Sequence, residues 1–336
     1  MTLKDVAEKV GVSVSTVSRV IASSNEKCAS EEVKKRIWKA VQETGYRPNQ
    51  SAQALRKGAP GQNERAASIC CLFARSKDFA SDRYFEELSG YVKQEIMRQG
   101  YRLGKQFAQH DAQEVATGNY RPGKRDGLVV MGRTQDALAP LISLFGKRVV
   151  YITLNQMHIA ADHVMCDGRQ ATEIAMRYLY SNGHRKTAYI GEYKGEIRYK
   201  SYAEFLAQNN LQLQWGHIVF AEMNAEGGYA AAKELLKRST RPTAIFCAND
   251  VTAIGVLARL KDSGVRVPQD ISVISIDNIR DASLCSPGLT TVSIPLRDLG
   301  TFAVKTLADR IQHGHTFPLS IFMPPELVIR GSVQPL

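Results

Sequence analysis

Beyond residue 66 the chain repeats one unit: a short, continuous apolar run followed by a helical stretch. The runs are Ile69 to Phe73, Gly127 to Met131, Val149 to Ile152, Thr187 to Gly191, Ala244 to Cys247 and Ile271 to Ile276. A run without polar alternation belongs to a strand buried on both faces. Successive parallel strands need a long crossover, usually a helix. The repetition therefore commits this region to an α/β class with parallel sheets covered by helices on both faces. About 270 residues of such units exceed one core and point to two lobes with a cleft between them. In sheets of this kind ligands bind beyond the carboxyl ends of the strands.

The first sixty residues read differently. Thr2 and Asp5 form a capping pair, and Leu3, Val6, Ala7 and Val10 make the stripe of an amphipathic helix. Gly11 stops it, Val12-Ser13 turn, and Ser13 can cap a second helix from about Val14 to Ala22 that turns Val17, Val20 and Ile21 inward. A third helix starts near Ser30, with Glu31 and Glu32 in its first turn and Val33, Ile37, Ala40 and Val41 as its buried stripe, and Gly45 ends it. Helix, Gly-led turn, short helix is the helix-turn-helix pattern, an all-α headpiece whose second helix enters the major groove. Its outward residues are Val14, Ser15, Thr16, Ser18 and Arg19. Polarity alone leaves a solvated helical hairpin as the alternative. Charge leans towards DNA: residues 1 to 60 hold eleven Lys/Arg against six Asp/Glu, nearly half the formal net charge of +11 in under a fifth of the 336 residues. From Gln50 to Gly58 the sequence QSAQALRKG lies between Pro48 and Gly58-Ala59-Pro60-Gly61. A helix that short forms only when docked.

The N-terminal motifs resemble the headpiece of the LacI/GalR family of bacterial repressors. They are Leu3 to Ala7, Gly11 to Val20, and Gly45-Tyr46-Arg47-Pro48-Asn49. Departures are Ala22, where the family usually has Asn, and the loop Ser23 to Ala29. The resemblance implies that Val14, Ser15, Thr16 and Arg19 lie in the major groove, with Ser18 beside them. It makes residues 50–57 a hinge helix in which Ala52 and Leu55 meet the minor groove, Leu55 as a wedge that kinks the duplex. Arg47, Arg56 and Lys57 then meet phosphates. The domains expected are 1–58, headpiece with hinge, and 59–336, a two-lobe effector and dimerisation domain.

The second region is similar to the same family at Ser181 to Lys186, Pro242 to Asp250, Val267 to Ile274 and Leu289 to Val292. The fold implied is that of periplasmic sugar-binding proteins. The effector residues implied are Arg198, Met223, Asn249 and Asp277. Read without the resemblance, Arg198 is a surface helix cation, Asn249 a helix cap and Asp277 a turn former; His184 reads as structural. Met223 replaces a frequent aromatic, and Thr153-Leu154 replace a lobe-one aspartate, which implies fewer polar contacts there. The Gln109 to Lys124 crossover is short. With the ending Phe317 to Gly331, it resembles a β-galactosidase-operon branch of the family, implying a β-galactoside-like sugar. The function expected is a dimeric repressor that a sugar releases from a near-palindromic operator. Alanine at Arg198 or Asp277 should fold and bind DNA yet lose the response.

Other classes fit less well. No P-loop, G-x-S-x-G or H-E-x-x-H pattern supports an enzyme. A transport receptor would carry no headpiece, and the charged start argues against a signal peptide. No run of about 18 apolar residues occurs, so no membrane span is expected. The six cysteines, Cys28, Cys70, Cys71, Cys166, Cys247 and Cys285, include no CxxC pair. They read as reduced thiols in a cytoplasmic protein, and no metal or cofactor is expected. No heptads follow Arg330, so a dimer rather than a tetramer is expected.

Overall fold

The computed structural model describes residues 3–22, 29–44, 67–74, 82–108, 111, 120–134, 136–155 and 159–336. The chain divides into two compact units, Met1–Arg65 and Ala66–Leu336.

Helices α1 (Leu3–Val10), α2 (Val14–Ala22) and α3 (Glu31–Thr44) build the first unit. Their apolar stripes meet in a small core of Val6, Ala7, Val10, Val17, Val20, Ile37 and Ala40. Gly11 takes φ +74°, which an L side chain resists, and its N–H returns to the Ala7 carbonyl at 2.9 Å to end α1. Ser13 Oγ accepts from Thr16 N at 3.1 Å and caps α2. Arg36 Nη2 donates to Val10 O at 2.7 Å, tying α3 to an orphan carbonyl of α1.

The second unit holds two six-stranded sheets. Lobe one contains β1 (Ser68–Phe73), β2 (Arg102–Phe107), β3 (Gly127–Met131), β4 (Val149–Thr153), β5 (Asp162–Cys166) and β11 (Ser320–Met323). They lie in the order β11-β5-β4-β3-β1-β2, and every pairing is parallel. Lobe two contains β6 (Thr187–Gly191), β7 (Ile218–Phe220), β8 (Ala244–Cys247), β9 (Ser272–Asp277), β10 (Thr290–Ser293) and β12 (Glu326–Val328). Its order is β12-β10-β9-β8-β6-β7, antiparallel only at β10–β12.

Helices α4 (Arg83–Arg98), α5 (Ala139–Ser143) and α10 (Leu296–Ile311) accompany the first sheet, and α10 packs on α4, β3, β4 and β5. Helices α6 (Gly168–Ser181), α7 (Ile197–Gln208), α8 (Ala225–Leu236) and α9 (Asp250–Asp262) accompany the second. The chain passes between lobes three times: from β5 to α6, from β10 to α10, and from β11 to β12. Apart from β12, the strands of each sheet run in one sense, so their carboxyl ends gather the loops that form the cleft.

The parallel α/β expectation holds, and the six apolar runs are β1, β3, β4, β6, β8 and β9. The apolar runs left out β2, β5, β7, β10, β11 and β12. Edge strands β2 and β11 leave alternate residues exposed, and β5 opens on a buried Asp162 and His163. The described cysteines are free thiols: Cys70, Cys71, Cys166 and Cys247 are buried and Cys285 partly so. Cys28, most of the 109–124 crossover and the hinge expectation at 50–57 fall outside the described residues. No described helix is long and apolar enough to cross a membrane.

Candidate ligand cleft and nucleic-acid interface

On α2 the exposed side is polar. Ser15 and Arg19 are exposed, while Val14 and Thr16 are half-buried. Ser13 Oγ lies 2.8 Å from both Ser15 Oγ and Thr16 Oγ1, and Arg19 Nε donates to Ser15 O at 3.4 Å. Short hydroxyls and one guanidinium on a projecting helix suit both base edges and phosphates. Ser18 lies on α2, but its side chain is outside the described residues, as are Arg47, Ala52, Leu55 and Arg56.

The cleft opens at the carboxyl ends of both sheets. Lobe one contributes Asp82, Tyr84 and Phe85 at the start of α4, Gly132 and Arg133 after β3, and Ile152 to Asn155 at the end of β4. Lobe two contributes Glu196 and Arg198 at the start of α7, Met223 after β7, Asn249 after β8 and Asp277 at the end of β9. All four side chains singled out in the sequence, Arg198, Met223, Asn249 and Asp277, line this one cavity of about 60 Å3.

Arg198 is not the surface cation that helix periodicity alone implies: it is 5 % exposed. Its Nε and Nη2 donate to Glu196 Oε1 and Oε2 at 2.7 and 3.0 Å, and its Nη1 to Ala248 O at 2.8 Å. Glu196 Oε1 also accepts from Arg198 N at 3.1 Å, capping α7. Burial works against the guanidinium charge, and Glu196 more than restores it. Alanine at 198 would leave a buried carboxylate without its cation, so this variant should lose stability as well as response. Asn249 is both a cap and a cleft residue. Its Oδ1 accepts from Thr252 N at 3.1 Å, and its Nδ2 donates to Met223 O at 3.4 Å.

Asp277 takes φ +128° and Asn278 φ +58°. Such strain in non-glycine residues persists only where neighbours over-determine it. Here Arg330 Nη2 holds Asn278 Oδ1 at 2.7 Å, and Asn278 Nδ2 donates to Ser293 Oγ at 3.2 Å. Below it, the buried Asp250 accepts from Ser275 Oγ at 2.5 Å, Thr291 Oγ1 at 2.6 Å and Ile279 N at 2.9 Å. Burial pushes its carboxyl up to about 6. Burial first, then the Asp277 charge, raises the Tyr84 phenol well above its ordinary range.

Sequence reasoning missed the lobe-one groups. Asn155 Oδ1 is buried without a hydrogen-bond partner among the described residues. It stands next to the Thr153-Leu154 pair, where fewer polar contacts were expected. Arg133 crosses between lobes: Nη1 donates to Lys194 O at 2.9 Å and Gly195 O at 2.7 Å, and Nη2 reaches Glu192 Oε2 at 3.3 Å. A second crossing joins Arg280 N to Glu87 Oε1 at 3.0 Å and Arg83 to Asp281 at 3.5 Å. Neither side chain carries a sequence signal, because the contact joins residues about 60 and 190 positions apart. His184 is structural as expected, its ring set between Thr243 Oγ1 at 3.0 Å and Gln334 O at 3.1 Å. Among the described residues no group of His, Cys, Asp and Glu could hold a metal ion.

Comparison with known proteins agrees with both halves. Residues 2–49 match the model of bacterial regulatory proteins of the lacI family, and residues 176–333 match a periplasmic binding protein-like domain. The chain is 32 % identical over 356 residues to the HTH-type transcriptional repressor PurR of Glaesserella parasuis, covering 100 % of this chain and 99 % of that one. It is 31 % identical over 342 residues to the PurR repressor of Klebsiella pneumoniae, covering 99 % and 96 %. Among solved structures, a regulator CelR–cellobiose complex superposes with TM-score 0.71 at 24 % identity, covering 99 % of both chains. The lac repressor dimer bound to operator and the anti-inducer ONPF gives 0.68 at 22 %, again over 99 % of both. These two likenesses show the fold; the PurR relatives are repressors, not enzymes, and match along the whole chain. The chain belongs to the LacI family of bacterial regulatory proteins, as a DNA-binding transcriptional repressor regulated by a ligand.

Proposed function

We propose that a saccharide of β-galactoside type binds the cleft and releases a homodimer from a near-palindromic operator of a carbohydrate-utilisation operon. The observation that carries the sugar reading is the buried Asn155 Oδ1 on one lobe, without a hydrogen-bond partner among the described residues, with Arg198, Asn249 and Asp277 on the other. Hydroxyls both donate and accept, so a polyol can satisfy an amide oxygen, a carboxylate and a guanidinium at once. Phe85, Leu154 and Met223 supply apolar surface for the ring carbons. A wider space of about 960 Å3 continues outward past Arg133, Thr153, Asn155 and Glu196, with Tyr193 at its rim, and suits a second ring.

The switch follows from differential affinity. A ligand that binds one lobe arrangement better shifts the chain to it, and the Arg133 and Glu87 crossings are the contacts exchanged. On the DNA side, Arg19 reads a base with Val14, Ser15, Thr16 and Ser18 beside it. Arg47 and Arg56 hold phosphates, and Ala52 and Leu55 enter the minor groove. A symmetric dimer then requires half-sites about one helical turn apart.

A purine base is the second reading, favoured by identity with PurR repressors along the whole chain. Against it, Tyr84 and Phe85 meet edge to face, 5.2 Å apart at 90°, and form no parallel slot for a flat base. Calorimetric titration of the full chain with lactose, galactose, hypoxanthine and guanine separates the two. Heat from a galactoside that Asn155→Leu abolishes supports the sugar reading. Heat from a purine alone overturns it.

A further inference from the structure

The end of lobe one opposite the cleft carries a second concave site. Two Gly-Lys-Arg triplets precede neighbouring parallel strands: Gly123-Lys124-Arg125 before β3 and Gly146-Lys147-Arg148 before β4. The turn after α10 adds Arg310, His313 and His315. These side chains, with Ile311 and Thr316, line a pocket of about 360 Å3 that no carboxylate lines. The nearby acids are engaged elsewhere. Asp126 accepts from Ser68 N, Ser68 Oγ and Gly123 N at 2.8–2.9 Å. Asp162 holds Arg310 at 2.6 Å, His315 at 3.0 Å and Leu319 N at 2.9 Å, and Asp309 holds His315 at 2.5 Å.

The walls are built rather than incidental. Arg148 Nε donates to Asp126 O at 2.8 Å, and the 8 % exposed Arg310 also donates to Thr316 O and Phe317 O at 3.1 and 3.0 Å. Lys124, Arg125 and Lys147 remain exposed. Concentrated like charge costs self-repulsion, and a multivalent oxyanion relieves it through charge-assisted hydrogen bonds.

We propose that this pocket is a second ligand site, for a phosphoryl anion, supplied either by a backbone phosphate of duplex DNA or by a free phosphate ester. The test uses the full chain and an operator recovered from a random duplex pool, either ended at the half-sites or extended by one turn at each end. Anisotropy titrations across a salt series compare wild type with Lys124→Ala/Lys147→Ala, and Lys124→Arg/Lys147→Arg controls for charge. Each phosphate contact adds about 0.9 to the log–log salt slope. If a DNA phosphate is the occupant, the wild type and the arginine variant show a steeper slope on the extended duplex and the alanine variant loses that difference. A parallel thermal-shift series sets inorganic phosphate against chloride at equal ionic strength. If both duplexes behave alike, yet phosphate stabilises wild type and not the alanine variant, the site stands with a free phosphoryl species as occupant. If neither readout depends on the lysines, the proposal is overturned.

Discussion

Replacing Arg198 by methionine removes a cation from a place water does not reach. The guanidinium and the Glu196 carboxylate are each 5 % exposed and share two hydrogen bonds of 2.7 and 3.0 Å. Methionine conserves most of the volume, so the loss is electrostatic rather than a cavity. Stranding one member of such a pair costs about 3–5 kcal/mol, because the remaining charge keeps its desolvation penalty. For a unit of this size about 1 kcal/mol moves Tm by roughly 2–4 °C, so Arg198→Met should melt about 6–20 °C lower. Adding Glu196→Gln removes the stranded charge, while the amide oxygen can still cap α7. The double variant should recover most of the loss, giving a favourable coupling in the double-mutant cycle. Thermal melts of wild type, both single variants and the double variant decide it. A single variant melting with wild type, or a double variant as unstable as Arg198→Met, would refute the buried-pair reasoning. The stable double variant then allows loss of ligand response to be read without loss of fold.

Asp250→Asn sets an amide N–H against donors that a carboxylate now satisfies, and should lower stability by about 1–3 kcal/mol in denaturant melts. The Asp250 carboxyl is raised in the fold, so its contribution is fullest below about pH 4 and is lost as pH rises through about 6; the deficit of the variant should shrink across that window. Gly255→Ala should cost about 1–3 kcal/mol by overpacking, since a Cβ there would lie 1.9 Å from the Ala225 carbonyl oxygen and force α8 from α9. An unshifted melt would mean that the two helices do not pack this closely.

Legibility in the sequence followed burial. Strands covered on both faces announce themselves as unbroken apolar runs, so β3, β8 and β9 were readable by eye. The headpiece was readable because three amphipathic stripes must close on one core. Arg198, Asn249 and Asp277 emerged by resemblance, each having an ordinary local reading, and for Asn249 the ordinary reading is also true. Asn155 and Arg133 carried no signal. Their significance lies in what stands opposite, and that depends on how two lobes assembled from interleaved chain meet. The basic pocket was hidden for the same reason: its two triplets are more than twenty residues apart in sequence and adjacent only through the register of β3 with β4.

Saccharide in the cleft should lower affinity for the operator. This is tested most directly by operator-duplex anisotropy with the full chain, titrated with a β-galactoside and separately with a purine base. Coupling between sites of this kind is typically about 1–3 kcal/mol, or 5- to 150-fold in affinity. The galactoside should weaken operator binding within that range, and Asp277→Asn should bind the operator with wild-type affinity but lose the response. Operator binding that tightens with the purine and ignores the sugar would contradict it.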